Sequence, residues 1–91
     1  MVTNNRAESQ YELIEGGHKA LAAYRLGDSR VSFTHTEVPP ELEGQGVGTR
    51  LIEGALAQVR EEGLKVEPLC SFVRHYVETH PDVQDLVAQS Q

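Results

Sequence analysis

A chain of 91 residues has room for one domain and one core, and it buries only about 60–65% of the surface its unfolded form exposes. With 38% hydrophobic and 24% charged residues it has the composition of an ordinary globular protein, and no apolar run approaches the roughly 20 residues of a membrane helix. The formal net charge of −6, with no basic tract, repels phosphate backbones and argues against nucleic acid as a partner. Cys70 is the only cysteine, which excludes an internal disulfide and argues against a cysteine-based structural zinc site. Met1 to Gln10 is polar with no apolar segment after a basic start, so no signal peptide is expected. That and the lone thiol point to a reducing cytoplasm.

Met1 to Ser9 reads as a disordered lead-in, and residues 10–88 as one domain, with Gln89 to Gln91 a frayed end. Tyr11 to Ile14 is a first short strand, stopped by Gly16-Gly17. Lys19 to Leu26 is a second, ending at the turn dipeptide Gly27-Asp28. Arg30 to Val38 alternates and predicts a third strand, with Val31, Phe33, His35 and Glu37 on one face and Ser32, Thr34, Thr36 and Val38 on the other. Short glycine-containing connections make these three an antiparallel meander.

Pro39-Pro40 ends the third strand, because neither proline can donate to a ladder. A helix follows from about Gly46 to Glu62, with Val47, Leu51, Ile52, Ala55, Leu56 and Val59 spaced as one apolar stripe and Gly63 at the C-terminal cap. Leu64 to Pro68 is a fourth strand. Ser71 reads as the N-cap of a second helix over Phe72 to Thr79, which His80-Pro81 ends, and Asp82 opens a short terminal helix. The predicted fold is α/β of the α+β type: a mixed, mostly antiparallel four-stranded sheet with one βαβ unit and two to three helices.

Between the third strand and the first helix, Gly44, Gly46 and Gly48 alternate. Glycines there permit left-handed angles and remove the Cβ atoms that would block a bulky anion. The first N–H groups of the helix are unpaired and suit a pyrophosphate, and Gln45 and Thr49 offer side-chain donors. A nucleotide-kinase loop would need a lysine where Thr49-Arg50 stands, and the glycine spacing does not match a dinucleotide fold. The glycines by themselves leave an anion site and a plain tight turn both open.

The run Leu42-Glu43-Gly44-Gln45-Gly46-Val47-Gly48-Thr49-Arg50-Leu51 resembles the acetyl-CoA-binding motif of the GNAT superfamily of N-acetyltransferases, whose pattern is Arg/Gln-x-x-Gly-x-Gly/Ala. Together with His35 to Leu42 and Leu64 to Val73, it resembles the small, single-domain GNAT-like acetyltransferases over Leu13 to about Pro81. The resemblance implies a compact GNAT-like fold and an acetyl-CoA donor bound by Gly44, Gln45, Gly46, Val47, Gly48 and Thr49. It further implies a thioester carbonyl polarised by a backbone N–H near Val38. Where the superfamily has Arg or Gln, this chain has Glu43, so backbone donors must hold the phosphates. The helices that larger members place after their first strand, which help to enclose the acceptor, are missing.

Three side chains are candidates for the chemistry. Cys70 falls at the start of a helix, where the dipole, with Arg74 one turn on, lowers a thiol pKa; the alternative is a buried packing cysteine. The small family carries a cysteine in this Pro-Leu-Cys motif that is suspected of a catalytic role. His35, on the strand leading to the glycine turn, is a candidate base or a hydrogen-bonded structural histidine. Tyr76 is either a half-buried helix residue or, as in larger GNAT enzymes, the acid that protonates the departing CoA thiolate. His18, His75 and His80 show no metal-ligand spacing, and no metal is expected. The function expected is acetyl transfer from acetyl-CoA to an amine acceptor, directly or through an acetyl-Cys70 intermediate, by a monomer or weak homodimer. The alternative is a CoA-binding module that performs no transfer.

Overall fold

The structure, a computed structural model, describes residues 1–88; Gln89 to Gln91 lie outside the described residues. Five strands form one sheet in sequence order: β1 (Val2–Asn5), β2 (Gln10–Glu15), β3 (His18–Gly27), β4 (Arg30–Glu37) and β5 (Lys65–Pro68). The first four run antiparallel, and β5 pairs parallel to β4. Helix α1 (Val47–Glu61) makes the crossover between them, and α2 (Ser71–Thr79) follows β5. Pro81–Leu86 is a 3-10 helix, the short terminal helix expected from Asp82. Among the described residues no helix is long and apolar enough to cross a membrane.

The mixed sheet and its βαβ unit match the expected fold class, but the sheet has five strands rather than four. The stretch read as a disordered lead-in contains β1, with Val2 opposite Leu13 and Asn4 opposite Tyr11. Its pairing with β2 is local, but the contacts that hold it to α1 and β3 are distant in sequence. The Gln58 side chain donates to the Val2 carbonyl at 2.8 Å, and the Tyr24 hydroxyl reaches Asn4 Oδ1 at 2.7 Å. Val2 itself packs so closely on α1 that a Cβ on Gly54 would stand 2.4 Å from its Cγ2.

All six positions of the α1 stripe are buried, against Tyr11, Leu13, Tyr24, Phe33 and Val66 from the sheet. Tyr11, Tyr24 and Phe33 pack as an aromatic triad with ring centroids 5.2, 5.9 and 6.5 Å apart. Gly63, at φ 72°, reverses the chain after α1 as a left-handed terminator should.

The alternation read along β4 holds only for its first half. Tyr24 pairs with Phe33 but Ala23 pairs with His35, so Thr34 is an extra residue on β4. Such a bulge flips every later side chain to the other face. Val31 and Phe33 face α1; beyond the bulge Thr36 and Val38 take that side, and His35 and Glu37 turn to the open face beside Ala23 and Leu21. The N-cap of α2 is also one residue earlier than expected, at Cys70 rather than Ser71.

Candidate active site at the glycine turn

After β4 the chain passes through Pro39 into a 3-10 helix, Pro40–Leu42, whose Leu42 is buried as an anchor. Gly44 (φ 79°) and Gly46 (φ 73°) are both left-handed, and a Cβ on either would meet nothing within 4 Å. Open space thus stands over the turn. Gly46 is the N-cap of α1, and the first helical hydrogen bond runs from the Arg50 N–H to the Gly46 carbonyl at 3.1 Å. The N–H groups of Val47, Gly48 and Thr49 have no backbone partner among the described residues. Gly48 has a different task. It lies under the Phe72 ring, and a Cβ there would stand 2.6 Å from Phe72 Cζ and 3.3 Å from Val38 Cγ2. Two glycines serve the backbone angle, and the third admits an aromatic ring.

A cavity of about 750 Å³ opens over this turn and runs to the end of β4 at Thr36, Glu37 and Val38. Six of the seven residues expected to bind cofactor line it: Val38, Gly44, Gly46, Val47, Gly48 and Thr49. The seventh, Gln45, folds back, donating from Nε2 to the Glu41 carbonyl at 3.1 Å. Glu43 and Glu37 are the acids on the wall, and Lys19 is its one cation among the described residues. Arg50 stands nearby but is held in a two-pronged ion pair by Glu15, with Nη2 at 3.0 Å from Oε1. An anion in this cavity therefore relies on backbone N–H groups and the helix dipole.

Beyond the cavity β4 and β5 part. They pair only from Arg30 with Lys65 to Phe33 with Pro68, after which the Cys70 N–H caps the Phe33 carbonyl at 2.9 Å. The Cys70 thiol sits in that fork, half-buried, 3.3 Å from the Thr36 hydroxyl. Burial pushes the thiol pKa up. The Thr36 hydroxyl and the backbone N–H groups of Val73, Phe72 and Thr36 outweigh it, and the thiol lies below its ordinary value. Hydrogen bonds, rather than the helix dipole expected from its position, account for the lowering. Arg74 plays no part: its Nη2 donates to the Leu69 carbonyl at 3.1 Å.

None of the three candidates lines the cavity: Cys70 reaches it only through Thr36, and His35 and Tyr76 lie apart from it. His35, on the open face because of the bulge, is exposed and bonded through Nε2 to Glu37 Oε2 at 2.7 Å. Glu37 is the residue that reaches the wall, and sequence reasoning passed over it. Its one sequence signal was a carboxylate two positions before Pro39, beside a histidine two residues back. Tyr76 is buried in α2 and its ring stacks on His80 at 3.8 Å and 7°. Burial, then Glu53 and Asp82, raise its pKa, so it holds its proton, but it faces other cavities than the one over the turn. Among the described residues no group of three or more His, Cys, Asp and Glu side chains is arranged to hold a metal ion.

Residues 10–86 match the model of the GCN5-related N-acetyl-transferase family, most of the chain and every element that builds this site. The chain belongs to that family. A relative in Mus musculus, Protein NATD1, is 34% identical over 83 residues, covering 88% of this chain and 76% of its own. Protein NATD1 of Xenopus tropicalis is 32% identical over the same spans. Among solved structures, a GCN5-like protein from Staphylococcus aureus, determined in solution by NMR, superposes with a TM-score of 0.74 at 30% identity. That match covers 100% of this chain and 90% of the other. Family membership joins the strand, glycine turn and helix seen here to a fold that generally binds acetyl-CoA.

Proposed function

We propose that this member of the family transfers an acetyl group from acetyl-CoA to an amine. The observation that carries the reading is the set of N–H groups at Val47, Gly48 and Thr49 without a backbone partner among the described residues, opening on a cavity that extends to Thr36, the neighbour of Cys70. The pyrophosphate lies at those groups, with Gly44 and Gly46 leaving it room. The pantetheine arm follows β4, and by strand alternation the Val38 N–H points to the same edge as that of Thr36, where it polarises the thioester carbonyl.

Glu37, oriented by His35, takes the proton from the acceptor ammonium. In direct transfer the acceptor nitrogen bonds to the acetyl carbon, the carbon–sulfur bond breaks, and the CoA sulfur takes up a proton. In the two-step route the Cys70 thiolate makes the first attack, releasing CoA and forming a thioester that the amine then cleaves. The depressed thiol pKa favours the second route. Tyr76, on another cavity, is not needed for either.

A second reading, a CoA-binding module without transfer, draws on the lining of the cavity, which includes neither Cys70 nor Tyr76. Release of free CoA, followed across a panel of amines, separates the two. Acceptor-dependent release supports the enzyme; binding with no release for any amine supports the module.

A further inference from the structure

A separate cavity, of about 650 Å³, lies between the second half of α1, the middle of α2 and the 3-10 helix Pro81–Leu86. It shares no lining residue with the cavity over the glycine turn, and nothing in the reaction above uses it. Its floor is apolar, with buried Leu56 from α1 and Val83 packed against the core. Four carboxylates stand around it, those of Glu53, Glu61, Asp82 and Asp85, with one cation among the described residues, Arg60. Asp85 takes up that cation: Arg60 Nη1 and Nη2 each stand 2.9 Å from one of its oxygens, and Nη2 also donates to the Asp82 carbonyl at 2.8 Å. The carboxylates of Glu53, Glu61 and Asp82 have no ion-pair partner among the described residues. Acids alone would be a solvated face, but Tyr76 adds a polar group of another kind. The residue is 7% exposed, and its hydroxyl has no hydrogen-bond partner among the described residues. No fully buried side-chain N or O among them is left unpaired, so the hydroxyl emerges at the surface. Burial and then Glu53 and Asp82 raise its pKa, and both of those acids line this cavity and not the smaller one that Tyr76 also borders.

We propose that this cavity binds a linear organic diammonium ion, one ammonium held by Glu53, Asp82 and the Tyr76 hydroxyl and the other by Glu61, with the hydrocarbon chain on Leu56 and Val83. The spacing calls for two charges. Glu53 and Glu61 are a little over two turns apart on α1, about 12 Å along its axis, too far for one ammonium to meet both. A metal ion would need several donors gathered at one point, and no group of three or more His, Cys, Asp and Glu side chains among the described residues is so arranged. An alkyl chain between the charged ends suits the apolar floor, as the stem of a lysine suits an apolar surface. The phenolic oxygen accepts from an ammonium, which has only donors to offer. The site is distinct from that of the amine that receives the acetyl group, and the inference does not rest on acetyl transfer.

The test compares two probes without coenzyme A present: 1,8-diaminooctane, and octylamine, which has the same chain and one charge. Calorimetry is expected to show the diamine bound about fivefold more tightly than octylamine by the wild type, and that advantage lost in Glu61→Gln. Glu53→Gln should weaken the diamine by a similar factor, whereas Glu8→Gln, which removes an exposed carboxylate elsewhere, should leave it unchanged. Ring-proton NMR signals of Tyr76 in the wild type give a readout that needs no variant, and they should move as the diamine is added. Equal affinity for the two amines, equal weakening by Glu8→Gln, or still Tyr76 signals overturns the site. Calcium chloride that moves the Tyr76 signals at the same concentration as the diamine overturns the choice of an organic ion. Since coenzyme A is absent throughout, each of these outcomes leaves the acetyl-transfer reading standing.

Discussion

The glycine turn and the fork beside it are neighbours, yet they do their work with different parts of the chain. At the turn the donors are backbone N–H groups of Val47, Gly48 and Thr49, displayed by the start of α1. At the fork the candidates are side chains, Cys70, Thr36 and Glu37, and their placing depends on where β4 bulges and where β5 stops. Backbone chemistry tolerates almost any outward side chain, that of exposed Glu43 included. Side-chain chemistry does not: one extra residue at Thr34 moved His35 away from the cavity. The turn is therefore expected to govern affinity and the fork to govern rate.

The largest separation should come from Cys70→Ala. If the thiol carries the acetyl group, transfer falls at least a hundredfold, about 2.7 kcal/mol, while CoA affinity holds. Intact mass spectrometry of the wild type with acetyl-CoA and no acceptor should show an acetyl adduct that hydroxylamine removes. Full-rate transfer by the alanine variant would reduce Cys70 to a packing residue and leave the direct route.

Glu37→Gln comes next, with a loss of about ten- to a hundredfold in transfer and no change in CoA affinity, as expected for a base. His35→Ala should cost less, since it acts only through Glu37. A larger effect from His35 than from Glu37, in steady-state kinetics on the same acceptor, would reverse the assignment.

On the other side of the comparison, Gly46→Val should weaken CoA binding at least tenfold, about 1.4 kcal/mol, by calorimetry. The branched side chain enters the open space over the turn and forces a β-branched residue to φ 73°, so circular dichroism must first show the variant folded. Unchanged affinity in a folded variant would mean that the phosphates lie elsewhere.

The smallest effect is a matter of pH. Thr36→Val removes a hydrogen bond that favours the thiolate, so the Cys70 pKa should rise. The pH profile of iodoacetamide alkylation then shifts to higher pH, and at neutral pH the variant reacts more slowly. An unshifted profile would leave the backbone N–H groups of Phe72, Val73 and Thr36 as the sole cause.

What the sequence determined by itself was everything set by short range. The α1 stripe from Val47 to Val59 repeats at helical spacing, and all six positions are buried. The alternate glycines mark a turn that only left-handed residues can make, and Gly44 and Gly46 make it. Pro39-Pro40 ends β4, and Gly63 ends α1. The tertiary structure decided what depends on a distant partner. β1 is held in place because Val2 packs against Gly54 and accepts from Gln58, contacts that no window of ten residues contains. Gly48 is glycine because of Phe72, on a helix that begins after the next strand. The face taken by His35 and Glu37 follows from the pairing of Ala23 with His35 in place of Thr34, and alternation read along one strand cannot register an extra residue that only its neighbour reveals.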